Sequence, residues 1–254
     1  MIKLDNQNKL EFVAVALPLL LTFLAVFITR SSVGVYFLMI AGLLVIEFAL
    51  LKTLHKQFKF NFKQLFPFML IIGASIGLAA SGVLTLEKVE ILKNPNYVTS
   101  CSVSPVVACS PVINSGQASA FTLPNPSFGL FGFGCLLAAG MALLAVGSKV
   151  KFKDWWWLGM LGASATGLGF VGWLIYESLY SISSLCLYCI STWMAVIPIF
   201  FLTLKYSLDE GAIKLKQPLQ KVLQKYPLEL SVSSYMLVAG LILQRFWSYW
   251  ISLL

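Results

Sequence analysis

Ser183-Ser-Leu-Cys-Leu-Tyr-Cys-Ile-Ser-Thr-Trp193 passes from small polar residues into an apolar run that continues to Leu204. A run of about 20 mostly apolar residues is what a helix needs to cross the hydrocarbon core of a bilayer. Cys186 and Cys189 therefore stand at the polar end of a membrane span. Positions i and i+3 share one helix face, so the pair can close into a disulfide or offer two thiols to one partner. Ser183 or Ser184 is the expected cap, which places Cys186 in the first turn, where the positive helix end favours thiolate.

The same reading, carried along the chain, gives seven apolar runs, near 12–29, 33–51, 66–86, 128–147, 156–177, 185–204 and 231–253. With 59% hydrophobic and 11% charged residues and a mean hydropathy of +0.86, a soluble domain with a polar shell is excluded. Unpaired backbone cannot face lipid, and long uninterrupted runs rather than ten-residue alternation argue against a β-barrel. The expectation is an all-α integral membrane protein. The first run follows Lys3 and Lys9 but is too long for a signal-peptide core, and Thr29-Arg30-Ser31-Ser32 leads straight into the second, so it reads as a retained span.

Charge orients the spans. With the amino terminus in the cytoplasm, fourteen of the eighteen Lys and Arg fall on cytoplasmic segments, among them Lys52, Lys56, Lys59, Lys149, Lys151, Lys214 and Lys221. That is the positive-inside bias, and it assigns the net charge of +8 to topology and anionic headgroups rather than to nucleic acid. The 87–127 loop, which carries Cys101 and Cys109, and the entry to the sixth run, with Cys186 and Cys189, then share the non-cytoplasmic, oxidising side. The basic 205–230 connection alternates Leu215, Leu219, Val222 and Leu223 with Lys214, Lys216, Lys221 and Lys225, the pattern of an amphipathic element on the inner leaflet whose regularity Pro218 limits. Small residues recur every four positions at Gly73, Gly77 and Ser81 and at Gly162, Ala163, Thr166 and Gly167, as helix contacts in lipid require.

A mobile loop pair can meet a soluble protein, and a helix-bound pair at the bilayer surface can meet a lipid-soluble oxidant. The minimal hypothesis is a relay of electrons between them. The competing uses are zinc held by the four thiolates and a disulfide that merely staples the loop. Cys135, among Phe133, Leu136 and Leu137, is expected to be a buried inert thiol. His55 reads as solvated, and Glu47 and Glu177 are intramembrane carboxylates with Glu177 near the outer surface.

Cys101-x7-Cys109-Ser, then Asn114-Ser115, then Phe121-Thr-Leu-Pro-Asn-Pro-Ser-Phe-Gly129, then Cys186-Leu-Tyr-Cys189 at the start of a span, together resemble the vitamin K epoxide reductase family, in particular its bacterial members. The likeness covers about residues 66–204. It implies a four-helix transmembrane bundle around a quinone pocket, with about three additional transmembrane helices. The chain would divide into 1–65 (two extra spans and a basic cytoplasmic loop), 66–204 (the catalytic bundle) and 205–254 (a basic connection and the last span).

By the same resemblance, Cys189 faces the quinone, Cys186 is its resolving partner, and Cys101 and Cys109 form the shuttle pair that takes electrons from a thioredoxin-like protein. Ser115 matches the family's loop hydroxyl and Asn125 its quinone-binding amide. Trp193 stands where vertebrate members have a tyrosine four residues past the second cysteine. It is read as lining the pocket and makes a plain quinone, ubiquinone or menaquinone, a safer substrate than an epoxide. Many bacterial relatives carry a fused thioredoxin-like domain; this sequence lacks one, so a separate thioredoxin-fold periplasmic protein is the expected partner. The activity implied is a thiol:quinone oxidoreductase of the bacterial inner membrane, with a transporter or structural membrane protein with stapled loops as the alternative.

Overall fold

The computed structural model describes residues 62–94, 96–120, 122–147 and 152–252. The expected spans at 12–29 and 33–51, the lysines at 52–59, His55 and Glu47 lie outside the described residues. The chain divides into two compact units; the described residues up to Ser231 belong to one, and those from Val232 onward to the other.

Among the described residues, five helices are long and apolar enough to span a membrane, and no strand is present beyond a single bridge between Val107 and Leu185. The protein is an all-α multi-pass membrane protein. Helix α1 is Phe62–Lys93. A short α2, Cys109–Ile113, lies in the loop that follows. Then come α3, Asn125–Val146, α4, Asp154–Tyr176, and α5, Leu187–Asp209. The surface helix α6, Gln217–Lys225, precedes α7, Pro227–Arg245, and α8, Trp247–Ser252. Pro218 sits in the first turn of α6, where a missing N–H costs nothing, so it starts the amphipathic helix instead of interrupting it.

In the first unit α1 packs against both α3 and α5, and α4 packs against α5. One end is closed by a dry cluster of Phe66, Leu70, Ala139, Leu143, Trp157, Met160, Ile199 and Leu202. Tyr206 stacks there on both Phe66 and Trp157, with ring centroids 4.7 Å apart in each pair. The other end is a smaller cluster of Leu84, Cys101, Cys109, Ile113 and Cys186. Fourteen residues of α1 separate Leu70 from Leu84, about 21 Å of helix, so the cysteines sit at the end of the bundle remote from the aromatic stack. The outward faces carry exposed Phe68, Ile72, Ile76, Phe131, Met141, Leu158 and Met194, an apolar surface that only lipid or another apolar partner satisfies.

The two stripes of small residues have different fates. On α1 a Cβ at Gly77 would overlap the Phe133 ring, one at Gly73 would lie 3.1 Å from Ile199, and Ser81 blocks a Cβ at Gly129; this stripe lets α1 seat α3 and α5. On α4 a Cβ at Gly162 meets nothing within 4 Å and one at Gly167 only Val196 at 3.8 Å. Ala163, Thr166 and Gly167 line a cavity instead. Cys135, expected to be buried, is exposed on α3, because the buried face of that helix is taken by Phe133, Ala139, Gly140 and Leu143.

Candidate active site

Backbone pairing carries the loop onto the head of α5. Ala108 N–H donates to Leu185 O at 2.9 Å, Leu185 N–H donates to Val106 O at 2.8 Å, and buried Ser184 donates through Oγ to Ala108 O at 2.9 Å. A π-helical turn, Glu177–Ile182, and a left-handed Ser183 (φ 57°) end α4 and aim the chain at this junction. Ser183 and Ser184 are therefore not the cap of α5. That position is taken by Cys186, whose sulfur accepts from the Cys189 N–H at 3.3 Å. Ser184 is drawn away by the loop carbonyls, and the helix begins immediately after Cys186, at Leu187.

Cys101 and Cys109 are joined in a disulfide, with Cα atoms 5.6 Å apart, and Cys186 and Cys189 are free thiols. The Sγ atoms of Cys109 and Cys186 are 3.0 Å apart. Cys109 carries no hydrogen while bonded to Cys101, so this is a direct approach of one sulfur to a disulfide sulfur, the encounter from which exchange starts. The sulfurs of Cys101, Cys109 and Cys186 all lie within 4.8 Å of one another. Cys109 and Cys186 are fully buried and Cys101 nearly so.

The hydrogen bond from the Cys189 thiol holds the Cys186 thiol below its ordinary pKa. Burial pushes the other way, and the backbone N–H groups of Cys189 and Tyr188 add to the lowering. A lowered pKa means more thiolate at a given pH, and alkylation follows thiolate. Alkylation of Cys186 is expected to reach its half-maximal rate at a lower pH than that of an ordinary cysteine. In Cys189→Ala the principal donor is lost and the midpoint should move up; a pH profile of iodoacetamide labelling, read by mass spectrometry, checks the sign.

Below the thiols lies a cavity of about 400 Å³, within the ~300–1,000 Å³ of small-molecule sites. It lies between α3 and α4, and α1 and α5 close its other walls. Cys189 lines it, as do Asn125, Ser115 and Trp193, and Phe128, Phe133, Phe170 and Val196 make most of the rest apolar. The structure thus brings all three expected pocket residues to one space with one thiol of the helix pair. Cys186 stands outside that lining, against the loop.

Asn125 has a double duty. Its Nδ2 donates to Gln117 O at 2.7 Å, and its Oδ1 accepts from Ala120 N–H at 3.1 Å, so the amide pins the 116–120 turn to the head of α3. Ser115 Oγ is tied to Val112 O at 2.7 Å. Trp193 is buried, and its indole N–H is enclosed without a hydrogen-bond partner. Sequence reasoning did not single out Lys88, whose Nζ donates to Ile113 O at 3.0 Å and which also lines the cavity. Glu177 lines it too.

A model of the vitamin K epoxide reductase family matches residues 68–204. This chain belongs to that family. The match runs from the second turn of α1 almost to the end of α5, and so covers the four-helix core, the loop and both dithiols. As a family member the protein is a redox enzyme, a membrane thiol–disulfide oxidoreductase. No curated relative matches the chain.

Proposed function

We propose that this family member is a thiol:quinone oxidoreductase: it takes electrons from a thioredoxin-fold protein on the non-cytoplasmic side of the bacterial inner membrane and passes them to ubiquinone or menaquinone, sustaining disulfide formation. The observation that carries the reading is the 3.0 Å approach of Cys109 to Cys186, with Cys189 on the wall of the cavity. The partner reduces the Cys101–Cys109 disulfide. Cys109 thiolate attacks Cys186 of a Cys186–Cys189 disulfide, and Cys189 leaves as thiolate. Cys101 thiolate then attacks Cys109 and frees Cys186. This leaves an oxidised loop and a reduced helix pair, the arrangement of bonds described above.

The Cys186 and Cys189 thiols, reprotonated after the exchange, close again to a disulfide, and the two electrons and two protons they give up convert the quinone to the quinol. Negative charge builds on those oxygens during transfer, and donors held in a dry pocket stabilise it without reorganising. The second Nδ2 hydrogen of Asn125 and the enclosed Trp193 N–H supply that role, and the aromatic rings take the flat face of the quinone. The quinone use of the family supports this acceptor.

The test is a purified preparation given a reduced thioredoxin-fold protein and a soluble quinone, with quinone consumption followed by absorbance. Consumption stoichiometric with disulfide formed in the partner is expected; no consumption with any quinone overturns the reading. In Cys101→Ala the second exchange cannot occur, so a Cys109–Cys186 linkage should accumulate and appear in non-reducing peptide maps.

A further inference from the structure

Glu87 is a buried carboxyl group that the redox chemistry above leaves unused. It lies near the end of α1, whose 32 residues extend about 48 Å against a hydrocarbon core of about 30 Å. The last turns thus stand beyond the apolar slab, where an acidic side chain ordinarily meets water. Glu87 does not: it is only 5% exposed.

Its Oε1 accepts from the Ser100 backbone N–H at 3.1 Å and from Ser100 Oγ. Ser100 Oγ in turn lies 2.9 Å from the Tyr188 hydroxyl. A serine hydroxyl has one hydrogen, and a carboxylate only accepts, so the chain has one direction: Tyr188 donates to Ser100, and Ser100 to Glu87. Ser100 immediately precedes Cys101, and Tyr188 lies between Cys186 and Cys189. One acid on α1 therefore grips both dithiol segments through a single hydroxyl. Glu87 Oε2 is closed off from solvent, and the Tyr97 hydroxyl also bears on this carboxyl group. Burying a carboxyl group costs stability, and its place against the thiols calls for a return in function.

We propose that Glu87 is a positioning residue that acts through Ser100 to hold the Cys101–Cys109 loop in register with the Cys186–Cys189 helix, so that Cys109 meets Cys186. The inference rests on the exchange step of the function proposed above and is indifferent to the acceptor that Cys189 serves. Without Glu87, Ser100 loses the acceptor of both its N–H and its hydroxyl. The Tyr188 link then has nothing to anchor it, and the loop cysteines sample positions away from Cys186.

The experiment uses the full chain in membranes, with Cys101→Ala as background and the rate of appearance of the Cys109–Cys186 linkage as readout. Adding Glu87→Ala is expected to slow the linkage tenfold or more. Glu87→Gln keeps an acceptor oxygen at Oε1 and should remain within about threefold of the background. Ser100→Ala should slow it as well, and Glu87→Ala should then add less than twofold, since both act on one link. An unchanged rate in Glu87→Ala, or full additivity with Ser100→Ala, overturns the positioning role while leaving the proposed function standing. A background that forms no linkage at all means the exchange step itself is wrong, and both readings fall. Loss of linkage in Glu87→Ala with no rescue by Glu87→Gln assigns the effect to folding and overturns the proposal too.

Discussion

Cys189→Ala is expected to lower quinone-dependent thiol oxidation by about a thousandfold or more, equivalent to roughly 4 kcal/mol in the barrier. Nucleophilic routes have no substitute when the nucleophile is removed, and Cys189 is the one cysteine among the described residues that lines the cavity. Cys186 is fully buried against Cys109 and is not in that lining, so it cannot take over. The variant should still bind quinone, because the cavity walls are otherwise intact. Quinone consumption near the background rate, with quinone still bound in a fluorescence-quenching titration of the tryptophans, is the expected pair of results. Retained turnover would remove Cys189 from the electron path.

Gly132→Phe tests the cavity without touching sulfur. A Cβ at Gly132 meets no atom within 4 Å, and the residue lines the cavity, so an added ring projects into the space between α3 and α4. Phenylalanine is also a better helix former than glycine, and a loss of fold is not the expected consequence. The quinone KM should rise by about thirtyfold, the equivalent of roughly 2 kcal/mol of binding. The pH profile of Cys186 alkylation should stay where it is, because its causes are the Cys189 thiol, burial at the loop, the backbone N–H groups of Cys189 and Tyr188 and the Glu87 charge, none of which the substitution touches. An unchanged KM would mean that the acceptor binds elsewhere.

The helices of the core were legible because lipid removes every alternative for the backbone: a long apolar run in a membrane is a helix. The described spans fall where the runs at 66–86, 128–147, 156–177, 185–204 and 231–253 put them, longer at one end or the other where polar residues extend a helix past the slab. The family was legible too, since two cysteine pairs in its order are a specific pattern, and the family model matches the stretch that carries them.

What periodicity could not decide was which face of each helix has a neighbour. Gly73 and Gly77 look like Gly162 and Gly167 in sequence, yet the first pair admits the side chains of Phe133 and Ile199 and the second stands beside open space. Cys135 looked buried among apolar residues, but in lipid an apolar residue is as well placed outward as inward, and the hydrophobic pattern carries no inside or outside. Ser183 and Ser184 carried a cap signal that the loop carbonyls outbid, so the sulfur of Cys186 caps the helix instead.

Sequence by itself determined a bundle of membrane helices with two thiol pairs at one end, because hydropathy and topology follow from local composition. Only the tertiary structure decided that Cys109 rather than Cys101 makes the 3.0 Å approach to Cys186, that Cys189 alone of the pair reaches the cavity, and that Glu87 lies under both segments. Those are relations between residues far apart in the chain. Hydrogen bonds and close sulfur contacts act over a few ångströms, so they exist only once packing has brought the segments together.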